Sequence, residues 1–182
     1  MKTKACRILH GSAGQALVET ALVLPLLVLL VIGVFELSRS IQANNIVVNM
    51  SREAANLVSR GDVSPQYAMD AVGETAQPLD MTQHGMTYIT KVQGVMKDGT
   101  VQTVVVSPSD QYKWAKGNYN VASKLGTPSG TNFPVTIPDG RGGNLKLGSG
   151  EVAYVAEVFY DYQVTFGTEF PWEPTIYSMS IF

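Results

Sequence analysis

Residues 14–35 read GQALVETALVLPLLVLLVIGVF, and this stretch decides the fold of the chain. Residues 20–35 carry no charged side chain. As a helix they are roughly 24 Å long at about 1.5 Å per residue, which is short against a hydrocarbon core of roughly 30 Å. A helix that begins at Gln15, with Glu19 neutralised, reaches roughly 31 Å on the same rise. We therefore predict a transmembrane helix over residues 15–36.

The residues before this helix are basic. Lys2, Lys4 and Arg7 lie in the leader, residues 1–14, and no acidic residue accompanies them. Positive charges beside a membrane helix are retained on the cytoplasmic side. The sequence therefore predicts a single-pass protein whose leader is cytoplasmic and whose remaining chain lies across the membrane.

The boundary between leader and helix carries a processing signal. A glycine, Gly14, is followed five residues later by a carboxylate, Glu19, at the start of the apolar run. This is the pattern that a type IV prepilin peptidase cuts, which makes Gly14 the cleavage site and Gln15 the new N-terminus. A carboxylate near the membrane is costly without a partner, and the new α-amine of Gln15, or that of a neighbouring subunit, supplies one. The alternative is that Glu19 is an ordinary interfacial residue among lipid head groups.

Two other accounts of the N-terminus remain open. An ordinary secretory signal would be cut after small residues, and Ser38 and Ser40 are small. Glu36 and Arg39 beside them, and Pro25 within the apolar run, fit that signal poorly. The other account is an uncleaved membrane anchor.

Residues 12–60 resemble the TadE-like family, whose members are pseudopilins of the tight-adherence (Tad, or Flp-type) pilus. The resemblance rests on the run 14–27, then Gly33, Phe35-Glu36 and Arg39, and on the segment Ser51-Arg52-Glu53-Ala54-Ala55. It implies cleavage by a prepilin peptidase and assembly with other pilin or pseudopilin subunits. It also implies an inner-membrane platform with an ATPase and contact with membrane lipid. The expected location is the bacterial inner membrane, with the C-terminal domain periplasmic or extracellular.

Composition excludes several other functions. The only cysteine, Cys6, lies in the leader, so the processed protein has no disulfide. From residue 61 onward seven basic and twelve acidic residues give a net charge of −5, which argues against nucleic acid. After the leader, His84 is the single histidine, too few for a metal site or a nucleophile triad. We expect no cofactor and no enzymatic activity.

The helix is predicted to continue to Arg60, giving a long helix over residues 15–60. Beyond the apolar run its apolar residues recur at steps of four and three, which places them on one face. They are Ala43, Val47, Met50, Ala54 and Leu57. This face packs either against the chain's own sheet or against helices of adjacent subunits. Arg60 and Gly61 are helix stop signals.

The remaining residues, 61–182, are predicted to form an exported domain of the α+β class, a small antiparallel sheet as in pilins. A short helix is expected over residues 65–76, with Ser64 as its N-cap. Strands are expected over residues 86–97, 100–107, 152–166 and 176–182, and Asp98-Gly99 suits a tight hairpin turn. In the strand 152–166 the even positions are apolar and the odd ones include Glu157 and Asp161. The pattern predicts one buried face and one face that is at least partly solvated.

The Gly/Pro-rich loop 107–150 separates these strands. Long loops in compact domains are usually functional or mobile. Tyr112, Trp114 and Tyr119 make the loop a candidate subunit contact, and the alternative is a surface excursion packed by its own aromatic residues. The predicted function is assembly as a pseudopilin or minor pilin. The competing function is that of a single-pass cell-envelope protein whose exported domain binds a ligand or partner.

Overall fold

The computed structural model describes residues 12–61, 63–139, 142–165 and 175–182. The chain divides into two compact units, Met1–Arg39 and Ser40–Phe182. The first unit, as far as it is described, is helical throughout. The second combines helices with an antiparallel sheet, so the predicted α+β class is confirmed.

Three helices precede the sheet in the chain. The first, α1, comprises Ser12–Ser59 and ends where Gly61, at φ +75°, donates a backbone hydrogen bond to the carbonyl of Val58. This is the predicted glycine stop. Helix α2 comprises Pro65–Glu74, and the Ser64 hydroxyl caps it by accepting a hydrogen bond from the amide of Tyr67. A single turn, α3, comprises Met81–His84.

Six strands form one antiparallel sheet in which β4, β2, β1, β5 and β6 lie in that order, and β3 also pairs with β1. Their bounds are Gly85–Lys97 (β1), Thr100–Val105 (β2), Gln111–Lys113 (β3), Phe133–Pro134 (β4), Val152–Asp161 (β5) and Thr175–Ile181 (β6). The predicted hairpin turn between β1 and β2 is confirmed, since Asp98 and Gly99 have φ values of +50° and +76°. Both values suit the primed turns that join tight hairpins.

Two strand ends differ from the prediction by two residues or more. Strand β5 ends at Asp161 rather than at 166, because its neighbour β1 begins at Gly85 and offers no pairing partner beyond Tyr160. Residues 162–165 are described without strand structure, and 166 lies outside the described residues. Strand β2 ends at Val105 because Ser107 then caps a short 3₁₀ turn with Pro108 at its first position.

Both faces of the sheet are covered. On one, the helix face, Ala156 and Val158 of β5 belong to a core shared with α1 and α2. On the other face, which we call the loop face, Val92, Ala153 and Val155 pack against apolar side chains of residues 107–150. These side chains are Leu125, Val135, Ile137 and Leu147. We call residues 107–150 the loop layer. The prediction that one face of β5 is at least partly solvated is therefore wrong, because the loop layer covers that face.

Candidate functional site

The predicted cleavage site lies near the start of α1. Gly14 is in the first turn of the described helix and is exposed. A Cβ added there would meet no described atom within 4 Å. The fold of this chain therefore sets no requirement for glycine at position 14, and any such requirement must come from what binds there.

Glu19 lies one helical turn after Gln15. Residues four apart share a face of a helix, and their Cα atoms are separated by a rise of about 6 Å. Both residues are exposed, and no described residue pairs with the Glu19 carboxylate. The geometry allows a terminal amine on Gln15 to approach Glu19 along that face.

The helix surface that follows is apolar all round. Large apolar side chains that are about half or more exposed run along it, among them Leu17, Leu22, Leu26, Leu29 and Val34. Within Gly14–Ser59 an 18-residue window reaches a mean hydropathy of 2.7, and none of that window is buried. A helix that is apolar on all sides and unburied is suited to lipid. It is the one helix among the described residues that is long and apolar enough to cross a membrane, and it indicates a single-pass membrane protein.

A charged pair marks the end of the apolar surface. The Arg39 guanidinium lies 3.8 Å from the Glu36 carboxylate, one turn earlier. The same guanidinium lies 6.0 Å from the ring centroid of Phe35. The first charged side chains after the apolar run are therefore close to each other, and Arg39 is also within cation–π distance of an aromatic ring.

The predicted packing stripe lies in the second unit. Ala43, Val47, Met50 and Ala54 are buried in the core that α1 shares with the sheet, and Leu57 is partly buried against it. The stripe therefore faces the chain's own sheet, the first of the two partners considered.

Ser51 lies on the same buried face of α1 as this stripe, and its place there was not predicted. Its side chain is fully buried, and its hydroxyl lies 2.8 Å from the Ser178 hydroxyl and 2.9 Å from the Ser180 hydroxyl, both on β6. It also donates to the carbonyl of Val48 at 2.9 Å. The signal was present in the sequence, since Ser51 lies four residues after Val47 and therefore on the apolar face.

The aromatic residues of the loop layer pack against the chain itself. Trp114 is buried over Gly73 of α2, and its indole N–H donates to Asp70 at 2.8 Å. The Lys116 ammonium lies 3.0 Å from the same carboxylate. The hydrogen bond from Trp114 and the contact with Lys116 hold the pKa of Asp70 below its usual range. Trp114 therefore packs within the chain itself, as in the alternative interpretation of the loop, and its buried ring is not exposed for contact with another subunit.

Tyr112 and Tyr119, the other two aromatic residues named in this loop, are partly buried against the same core. The Tyr119 hydroxyl lies 2.8 Å from the hydroxyl of Thr175 at the start of β6. The loop therefore contacts both α2 and the last strand.

Glu157 was predicted to lie on a solvated face, and this is wrong. The side chain is fully buried at the centre of β5, beneath the loop layer. The Ser123 hydroxyl and the Lys124 amide both donate to its carboxylate, the amide at 3.0 Å. Tyr177 donates its hydroxyl to the same group at 3.0 Å. Burial, and the negative charge of Glu157, raise the pKa of the Tyr177 phenol.

His84 lies at the end of α3 and is partly exposed. Its Nδ1 is 3.9 Å from an oxygen of Asp161. Over the described ranges, no group of three or more His, Cys, Asp or Glu side chains could hold a metal ion.

Comparison with known proteins finds a family model that is similar to the N-terminal part of the chain. The family model described as TadE-like protein matches residues 14–56. No curated protein and no solved structure matches the chain. The matched range begins at Gly14 and lies wholly within α1, so it contains the apolar surface and most of the packing stripe. Residues 14–56 of this chain are therefore similar to the TadE-like family, which is the resemblance that their sequence predicted.

Proposed function

We propose that this protein is a pseudopilin or minor pilin that acts in the assembly of a Tad/Flp-type pilus or secretion apparatus. The observation that carries this proposal is the TadE-like match, which begins at Gly14 and covers the apolar part of α1. A TadE-like segment indicates a protein associated with the Tad pilus. The second unit also supports the proposal, because a pseudopilin or minor pilin is expected to have a folded domain after its membrane helix, and this unit is compact.

In this proposal a prepilin peptidase removes residues 1–14 and leaves Gln15 as the N-terminus. Gly14 is exposed and has free space around it, so a peptidase can reach the bond after it. The protein is inserted in the inner membrane by residues 15–36, with its leader cytoplasmic and residues 61–182 exported. It has no enzymatic activity and needs no cofactor.

Glu19 serves assembly in this proposal. A carboxylate surrounded by exposed leucine and valine side chains is costly in hydrocarbon unless a cation neutralises it. The α-amine of Gln15, in the same or a neighbouring subunit, is the cation that cleavage creates. The other partners are further pilin or pseudopilin subunits, the inner-membrane platform with its ATPase, and membrane lipid. Nucleic acid is not a partner.

The test is the N-terminus and intact mass of the protein purified from membranes of a host that carries the peptidase. A start at Gln15 supports the proposal. An intact Met1 makes α1 a permanent anchor, and a start near Ile41 indicates ordinary secretion. Either of the last two results contradicts the proposal.

Two pairs of variants sharpen this test. Gly14→Leu is expected to abolish processing and Gly14→Ala to retain part of it. Gly33→Leu is the matched control, because Gly33 is also a helical glycine with no described atom near its added Cβ. Glu19→Gln is expected to be processed and to fail in assembly, measured by co-purification with other subunits. Glu53→Gln, which alters an exposed carboxylate later in the same helix, should be processed and should assemble normally.

A further inference from the structure

The loop layer is fixed to the sheet by one buried carboxylate. Glu157 lies at the centre of β5 with no exposed surface, and Lys, Arg and His side chains of the described residues lie beyond ion-pair distance of it. An ionised carboxylate taken out of water is costly unless hydrogen-bond donors replace the water. The three donors around it are the hydroxyls of Ser123 and Tyr177 and the amide of Lys124.

Two of these donors belong to a single segment of the loop layer, residues 118–126, which we call the strap. The strap has no helix or strand of its own, and only Ser123 and Leu125 in it are buried. Other polar contacts hold it at its two ends. The amide of Tyr119 donates to the carbonyl of Gly85, and the side chain of Gln111 donates to the carbonyl of Gly126 at 2.9 Å.

Two further contacts join the strap to the strands beside Glu157. The Lys124 ammonium lies 3.5 Å from the ring centroid of Tyr177, whose hydroxyl contacts the carboxylate. Tyr88 lies opposite Glu157 in the β1–β5 register and donates its hydroxyl to the carbonyl of Val121 at 2.7 Å. Each of these contacts joins the strap to a different strand, and Glu157 lies at their centre.

Beneath the strap is a continuous aromatic surface. The rings of Tyr88 and Phe159 meet edge to face at 6.2 Å, and those of Phe159 and Tyr177 lie 4.8 Å apart. These three residues come from β1, β5 and β6 and share the loop face. Displacement of the strap would uncover them together.

We propose that the strap opens and closes as a unit on a sheet that stays folded, and that Glu157 is the latch that sets this equilibrium. Segments with few buried apolar contacts and mainly polar attachments open at lower free energy than the strands beneath them. In the strap, Leu125 is the one buried apolar side chain and Tyr119 and Val121 are partly buried, while its remaining attachments are polar. Its opening exposes Tyr88 and Phe159, which are buried in the closed state, and more of Tyr177, which is partly buried there.

The test is amide hydrogen exchange of the full chain in detergent micelles, followed by mass spectrometry of peptides from the strap and from β1 and β5. In the wild type the strap should exchange faster than either strand. Glu157→Gln should speed exchange in the strap by about 10- to 100-fold, because each hydrogen bond to a charged acceptor contributes about 1.5–3 kcal/mol. Exchange in β1 and β5 should change far less.

Matched variants separate the latch from general destabilisation. Glu151→Gln is the control, because the Glu151 carboxylate also accepts a loop amide, from Gly148 at 2.6 Å, but is exposed. Ser123→Ala removes one strap donor without altering the carboxylate and should produce a smaller increase in strap exchange. It also provides the test if the Glu157 variant does not fold. The proposal is overturned if both latch variants leave strap exchange unchanged, or if strap and strands accelerate together.

Discussion

The serine cluster between α1 and β6, in which Ser51 is buried and Ser178 and Ser180 are partly buried, yields a quantitative stability prediction. Ser51→Ala removes a hydroxyl that contacts Ser178, Ser180 and the carbonyl of Val48. The first two contacts join the helix to the edge of the sheet, and the third lies within the helix. Only the first two therefore contribute to docking of α1.

The magnitude follows from three contributions. Two neutral hydrogen bonds lost between elements cost about 1 kcal/mol each, or about 2 kcal/mol together. Alanine has the higher helix propensity and returns about 0.5 kcal/mol. The expected loss in the free energy of unfolding is therefore about 1.5 kcal/mol, which corresponds to a fall in Tm of about 3–6 °C for a chain of this size.

The assay is thermal unfolding of the full chain in detergent, followed by the fluorescence of buried Trp114. Ser59→Ala is the matched control, because the Ser59 hydroxyl donates to the carbonyl of Asn56, three residues earlier, at 2.9 Å and is otherwise exposed. That control should leave Tm unchanged or slightly raised. If the two variants have the same Tm within 1–2 °C, on the order of 0.5 kcal/mol, the reasoning about the cluster is refuted.

A second comparison tests whether unsatisfied hydroxyls cause the loss. Replacing Ser51, Ser178 and Ser180 together by alanine removes every hydroxyl of the cluster and leaves none buried without a partner. Removal of both partners is less costly than removal of one. The triple variant should therefore be closer in Tm to the wild type than three independent losses would predict.

Three further predictions concern the second unit. Asp70→Asn should loosen the contact of Trp114 with α2. The pKa of Asp70 is lowered in the folded protein, so the Asp70 carboxylate stabilises the fold above about pH 4, and this stabilisation is lost as the pH falls through the lowered pKa. The acid unfolding curves of the variant and the wild type should therefore converge at low pH. Tyr177 has a raised pKa, so it should ionise after most other tyrosines in a titration followed by ultraviolet absorbance, and stability should fall as the pH rises above about 10. Gly94→Ala should destabilise the fold by more than about 2 kcal/mol, because its Cβ would overlap the carbonyl oxygen of Gly148; a chemical denaturation midpoint equal to that of the wild type would contradict this expectation.

Local features of the fold could be predicted from the sequence. The long apolar run, the glycine after α1, the Ser64 cap and the Asp98-Gly99 turn each act through neighbouring residues, so their outcome is readable from a short stretch. The family match over residues 14–56 is local in the same sense, because all of its residues lie in one continuous helix.

Features that depend on residues distant in the sequence could not be predicted from a short stretch of the chain. Glu157 alternates with apolar residues along β5, which is the pattern of a solvated face, and that face is buried only because the loop layer covers it. The loop-layer donors to the carboxylate, Ser123 and Lys124, lie more than thirty residues earlier in the chain. The end of β5 likewise depends on where β1 begins. Alternation in one strand reports which side chains share a face, but it does not report what covers that face.

The loop layer also determines where this protein can be altered by an experimenter. Its Gly- and Pro-rich sequence resembles a linker that could be shortened or could accept an epitope. Because Leu125, Val135, Ile137 and Leu147 supply half of a core, deletion there would expose Val92, Ala153 and Val155 on a sheet surface prone to aggregation. The exposed Asp98-Gly99 turn, with no described atom near the added Cβ of Gly99, is the better place for an epitope or a label.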